Sequence, residues 1–370
     1  MPDIQPIVMP KWGLAMQEGT LAKWSADEGQ EIAAGQEIMD IETSKIANVF
    51  ESPVSGVLRK RVAKDGDVLP VGALLGVVAD KSVTDDAIDS FVAEFQEKFE
   101  SAAKEEVAAP EPTIVEIGGK RVRYLKLGPD GGTPVVFIHG FGSDHASWLF
   151  NHMAAAETRP AYAVDLLGHG GSAKDVGDGA ALTLAASVAG LLDHLGLSRV
   201  HLVGHSLGGA VATLVAAANP ARVASLALIA PAGLGSEVNA AFLDGFLQEV
   251  RGKKLRPVLE MLVADPDLVT SDMVEDVLKF KRLDGAEAAL TLIREANFPG
   301  AMQKISIAKD LGSLSIPVLV VVGEADKIIP AEQSQALQGP VERVVVARAG
   351  HLPHMEKSGE VNAALARLWG

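Results

Sequence analysis

Apolar and polar positions fall into three regimes along the chain. Between Ile4 and Val78 the pattern repeats: Gly19 and Gly56, Gly29 and Gly66, and Gly35 and Gly72 stand 37 positions apart. The pairs Leu21/Leu58, Lys23/Lys60, Ile32/Leu69, Ile38/Leu75 and Ile41/Val78 keep the same offset. β-type apolar residues punctuated by glycines at a fixed interval predict strands joined by turns at positive φ. The two halves form one flattened sandwich of sheets, and they meet near Lys45, which would project from an exposed turn. After Asp80 the period changes. Ile88, Phe91, Val92, Phe95 and Phe99 recur at spacings of three and four, with Asp85 and Asp86 at the start, so Asp85 to Val107 reads as an amphipathic helix. At 1.5 Å per residue it would be about 30 Å long and act as a spacer, its phenylalanine stripe resting on a flanking domain or docking a partner subunit. Ala108-Ala109-Pro110-Glu111-Pro112 ends it.

From Thr113 onward a third regime begins. Thr113 to Lys126 reads as a hairpin around Gly118-Gly119. Apolar runs then alternate with helical patterns: Val135 to Ile138, Ala161 to Val164, Val200 to Val203, Ser225 to Ile229, Val318 to Val322 and Arg343 to Ala347. Strands apolar on both faces and separated by helices predict a mainly parallel sheet covered on both sides. The stretch from about 235 to 313 exceeds a single crossover and is rich in Leu, Met and Phe, which predicts a helical cap over the carboxyl edge of the sheet. The expected domains are therefore an all-β domain over 1–80, a helical and Pro-rich linker over 81–112, and an α/β domain over 113–370.

The α/β region carries the chemistry. Gly204-His205-Ser206-Leu207-Gly208 follows one strand and precedes the helical Ala210 to Ala218. This matches a G-x-S-x-G nucleophile elbow in its strand-turn-helix context, where side chains in place of the glycines would clash. A serine hydroxyl needs a base to take its proton and a carboxylate to orient that base, in the order Ser, acid, His. Asp326, after strand Val318 to Val322, and His351, after the last strand, fit. His354 is a second choice for the base; His351 is preferred because it comes first in the loop. The backbone N–H groups of Leu207 and of Phe141, in His139-Gly140-Phe141-Gly142, would build the oxyanion hole. Asp165-Leu166-Leu167-Gly168-His169-Gly170 reads as structural, as does His205. His351, His354 and Glu356 could be drawn as metal ligands, but their place in a triad loop argues against it, and no metal is predicted.

Composition narrows the partners. With 48% hydrophobic residues the chain can bury sizeable cores, and with no cysteine it can form neither a disulfide nor a thiolate metal site, so any thiol chemistry must come from a bound group. A net charge of −15 argues against nucleic acid and anionic membranes. The N-terminus shows no signal pattern and no apolar run has the length of a membrane helix, so a cytoplasmic location is expected.

Asp40-Ile41-Glu42-Thr43-Ser44-Lys45-Ile46 with Glu51-Ser52-Pro53-Val54-Ser55-Gly56 resembles the lipoyl (barrel-sandwich) domain of 2-oxo acid dehydrogenase-type multienzyme complexes. The resemblance implies lipoate in amide linkage on Lys45, on a turn tip from which a carrier can reach several centres. Ser44 departs from the commoner Asp, and a biotin carrier would show Met-Lys-Met at the hinge. The elbow and triad resemble the α/β-hydrolase family; Ser206 sets the chain apart from the branches with aspartate at the elbow. Lipoyl domain, helical linker and α/β-hydrolase domain, in that order, resemble the dihydrolipoamide acetyltransferase components of acetoin dehydrogenase complexes. That implies CoA as acyl acceptor, a thiamine-dependent acetoin-cleaving component and dihydrolipoamide dehydrogenase as partners, and a homo-oligomer. The H-x-x-x-D-G motif of the usual acyltransferase domain is absent from all nine histidines, so transfer would run through the triad. Two other readings stand beside it: a thioesterase or carboxylesterase, in which water takes the acyl group, and a non-catalytic scaffold for the lipoyl arm.

Overall fold

The computed structural model describes residues 4–10, 12, 18–42, 47–102, 110–337 and 341–370. The chain forms two compact units, Met1–Ala109 and Pro110–Gly370.

Among the described residues the first unit has eight strands: β1 (Ile4–Val8), β2 (Glu18–Trp24), β3 (Glu31–Ile32), β4 (Glu37–Glu42), β5 (Ala47–Glu51), β6 (Gly56–Arg61), β7 (Val68–Pro70) and β8 (Leu74–Ala79). They build two four-stranded sheets, ordered β1-β8-β6-β3 and β5-β4-β2-β7. The 37-residue offset relates β2, β3 and β4 to β6, β7 and β8. Each half lends its short strand to the other half's sheet, so neither half can close alone. The turn hydrogen bonds repeat across the symmetry: Gly29 N–H donates to Leu58 O and Gly66 N–H to Leu21 O, both at 2.7 Å. Gly29, Gly35, Gly66 and Gly72 all have φ between 82° and 89°, as turn glycines require. Gly19 differs: it lies inside β2, outside the left-handed region. The repeated apolar pairs form the core, with Leu21, Ile38, Ile41, Leu58, Leu75 and Val78 all buried.

Helix α1 (Asp85–Ala102) packs on this unit rather than standing free as a spacer. Leu74, Val77 and Ala79 leave an apolar strip on β8, and Ile88 and Val92 cover it, flanked by Phe91 and Phe95. Both faces of β8 are buried as a result. The Phe99 ring closes over Gly72, where a Cβ would lie 3.2 Å from it. Residues 103–109 lie outside the described residues.

The second unit contains β9 (Thr113–Ile117), β10 (Lys120–Leu127), β11 (Val135–Ile138), helix α2 (Leu149–Ala156), β12 (Ala161–Val164), α3 (Ala181–His194), β13 (Val200–His205), α4 (Leu207–Ala218) and β14 (Val223–Ile229). Four helices follow, α5 (Ala240–Gln248), α6 (Gly252–Leu259), α7 (Ser271–Lys281) and α8 (Ala286–Asn297). The chain ends through α9 (Ala308–Ser313), β15 (Val318–Gly323), β16 (Val341–Val346), α10 (Pro353–Glu356) and α11 (Ser358–Trp369). The sheet order is β16-β15-β14-β13-β11-β12-β10-β9. From β16 to β12 all pairings are parallel; β10 runs antiparallel to β12 and to β9. One face is sealed by Trp148 and by Val361, Ala364 and Leu365 of α11 against Val135, Phe137, Val203 and Leu319. Helices α5 to α8 form the cap, while α9 returns to pack against α4. No helix among the described residues is long and apolar enough to cross a membrane.

Candidate active site

Ser206 sits between β13 and α4 with φ 51° and ψ −119°, a conformation that a residue with a side chain holds only at roughly 1–3 kcal/mol. Hydrogen bonds fix it there: its N–H donates to Ile229 O at 2.9 Å, and its carbonyl accepts from Gly209 N at 2.9 Å and Ala232 N at 3.0 Å. The flanking glycines are required by crowding. A Cβ on Gly204 would lie 2.3 Å from Gly208 O, and one on Gly208 would lie 2.2 Å from Ile138 O. The strand and helix therefore meet closely enough to hold the serine at the strand tip.

His351 lies after β16 and Asp326 after β15, and the two loops touch. A Cβ on Gly323 would be 2.0 Å from Gly350 O. His351 Nδ1–H donates to Asp326 Oδ2 at 2.8 Å, with both side chains buried. The other carboxylate oxygen, Oδ1, accepts from Ile328 N at 2.8 Å and Ile329 N at 3.0 Å. This assignment leaves His351 Nε2 as the ring nitrogen able to accept a proton. His354 is placed differently. Its ring lies 4.5 Å from Trp148 and 4.6 Å from His205, and neither nitrogen has a partner among the described residues. Burial, reinforced by His351, pushes its pKa down to about 3, so it stays neutral.

On the opposite side, Phe141 follows β11, and its N–H donates to no backbone carbonyl among the described residues. Leu207 is the first residue of α4, where a backbone N–H has no partner one turn earlier. Two histidines hold this loop, one within it and one from the segment expected to be structural. His139 Nδ1–H donates to Gly140 O at 2.8 Å and its Nε2 accepts from Leu166 N at 3.0 Å. His169 Nε2 accepts from Gly142 N at 3.0 Å while Nδ1–H donates to Leu167 O at 3.1 Å. Those tautomers require neutral rings, and burial supplies the cause: it lowers both pKa values, that of His169 to about 3. Each histidine follows a strand, β11 or β12, but that those strands are neighbours is visible only in the sheet. Asp165, read as structural, ties the same region together. It accepts from His145 N at 2.8 Å, Arg123 Nε at 2.5 Å and Gly171 N at 2.8 Å.

The cap closes over this loop. Phe246 of α5 lies against Gly142, where a Cβ would be 2.5 Å from its ring, and 5.8 Å from Phe141. Phe280 of α7 stacks on His169.

Lys45 lies outside the described residues. The strands on either side of it are paired up to their ends, Glu42 opposite Ala47.

A β sandwich of two interlocked halves on the same chain as a parallel sheet with a nucleophile elbow defines a carrier domain joined to an α/β hydrolase. Residues 5–78 match the family described as Biotin-requiring enzyme, and residues 135–364 match the Alpha/beta hydrolase family. The chain is 46% identical to the dihydrolipoyllysine-residue acetyltransferase component of the acetoin cleaving system of Pseudomonas putida, over 98% of this chain and 97% of that one. It is 44% identical to the component of the same name from Cupriavidus necator, over 100% and 98%. The chain belongs to this family of acetoin-system acetyltransferase components. Among solved structures it is similar to a meta-cleavage product hydrolase from Pseudomonas fluorescens, with a TM-score of 0.63 and 21% identity over 70% of this chain and 97% of that chain, which concerns the fold alone.

Proposed function

We propose that the protein is the lipoyl-carrying acetyltransferase of an acetoin-cleaving multienzyme system and that Ser206 moves the acetyl group to CoA. The observation that carries this reading is the likeness to acetoin-system components along almost the whole chain, carrier domain and hydrolase domain together. Lipoate in amide linkage on Lys45 would supply the thiol that brings the acetyl group. Ser206 Oγ gives its proton to His351 Nε2 and attacks the thioester carbonyl; Asp326 holds the imidazolium that forms. The N–H groups of Phe141 and Leu207 stabilise the oxyanion. On collapse the C–S bond breaks, and His351 returns the proton to the departing thiol. His351 next takes the proton of the CoA thiol, which attacks the acyl-serine, and the same proton restores Ser206. A thiamine-dependent component and dihydrolipoamide dehydrogenase would serve the other stations of the arm.

A hydrolase shares every step but the last, since water can take the place of the CoA thiol. Product partition separates the two: lipoylated protein loaded with acetyl groups is expected to give acetyl-CoA when CoA is present, with little free acetate. Acetate released at the same rate with and without CoA would make the protein a thioesterase.

A further inference from the structure

The loop that carries His351 is held by a carboxylate with no role in the chemistry above. Glu356 is buried, only 5% exposed, at the end of α10. Its Oε1 accepts from Gly350 N at 2.8 Å and from Leu352 N at 3.3 Å, the residues on either side of His351. Its Oε2 accepts from Ala264 N at 2.8 Å, a residue between cap helices α6 and α7. The peptide groups of His351 itself are held as well. His351 N–H donates to Leu262 O at 2.8 Å, and His351 O accepts from His205 Nε2–H at 2.9 Å. A Cβ on Gly350 would lie 2.7 Å from Val263 C, so the cap segment rests directly on the loop. No cation pairs with Glu356 among the described residues; three N–H donors are its compensation. Burial raises its pKa, helped by the charge of Asp326, and an unpaired carboxylate in such a place costs stability that an apolar residue would not.

We propose that Glu356 is a positioning residue for acyl transfer: its carboxylate locks the peptide units on both sides of His351 and ties them to the cap segment Leu262–Ala264. The proposal rests on His351 being the base. A proton acceptor must sit within hydrogen-bond reach of Ser206 Oγ, and misplacement by about 1 Å can cost on the order of a hundredfold in rate. Asp326 fixes the ring from Nδ1, and Leu262 O and His205 Nε2 hold the N–H and C=O of His351 itself, but the peptide N–H groups of its two neighbours depend on Glu356. Glu356 holds those N–H groups before and after the base with one oxygen, while its other oxygen holds the cap.

The test uses the full chain with Glu356→Gln, Glu356→Ala and His351→Ala, and compares kcat and KM on a small chromogenic acetyl ester. Glutamine keeps one oxygen for Gly350 and Leu352 but turns an amide donor toward Ala264 N–H, so the isosteric variant folds with one tie broken. Its kcat is expected to fall about tenfold with KM nearly unchanged, and that of Glu356→Ala about a hundredfold. A merely structural residue would lower the folded fraction and leave kcat per folded molecule intact. Wild-type kcat per folded molecule in Glu356→Gln, measured by active-site titration, would overturn the proposal. Turnover surviving in His351→Ala would overturn instead the assignment of the base.

Discussion

Replacing Ser206 by alanine is expected to lower acyl-ester turnover by about a million-fold while leaving the fold intact, because only the hydroxyl is removed and the backbone hydrogen bonds that hold the elbow remain. His351→Ala should cost about as much, and the double variant scarcely more, since a nucleophile and its base act as one unit. Asp326→Asn should cost less, about ten-thousand-fold, and for a reason visible in the hydrogen bonds. Oδ1 already serves Ile328 and Ile329, so an amide would have to turn its NH2 toward His351 Nδ1 and favour the wrong tautomer. Steady-state hydrolysis of a small ester, with circular dichroism to check folding, measures all four. Additive losses in the double variant would mean that the two residues do not work together.

The second large effect concerns Lys45. An amide bond to lipoate needs a primary amine, so Lys45→Arg should keep the charge and lose the entire mass increase of lipoylation in protein from a lipoylating host. Transfer that starts from the arm should disappear with it. Ester cleavage should stay within about twofold of wild type, because Ser206, His351 and Asp326 all belong to the other compact unit. Intact-mass analysis decides the first point. Persistence of the modification in the arginine variant would remove Lys45 from the account.

The parts of this molecule that were legible in the sequence are those encoded at a fixed spacing. The 37-residue repeat carries the sandwich because its apolar residues have twins in equivalent buried places, Leu21 with Leu58 and Ile38 with Leu75. The elbow is legible because Gly204 and Gly208 flank Ser206 within five residues and each answers a collision with backbone. Periodicity also gave α1 its apolar stripe, but not where the stripe rests: the strip Leu74, Val77 and Ala79 lies on a strand that already reads as core, and only the sheet order exposes its second face. The supports of the site were hidden for a different reason. His139 meets Leu166, His169 meets Gly142 and Glu356 meets Ala264 through hydrogen bonds to backbone, which carries no residue-type signal. A side chain that binds a distant peptide group leaves only itself in the sequence, and a lone histidine or glutamate looks like any other.

The central claim, that acyl transfer to CoA runs through the hydrolase-type site, is tested most directly by acetyl-CoA formation from acetyl-loaded lipoylated protein carrying Ser206→Ala. The account predicts that this activity falls together with cleavage of the small ester while lipoylation at Lys45 is unchanged. Undiminished acetyl-CoA formation alongside lost ester cleavage would contradict it, and the acetyltransferase would have to be sought elsewhere than Ser206.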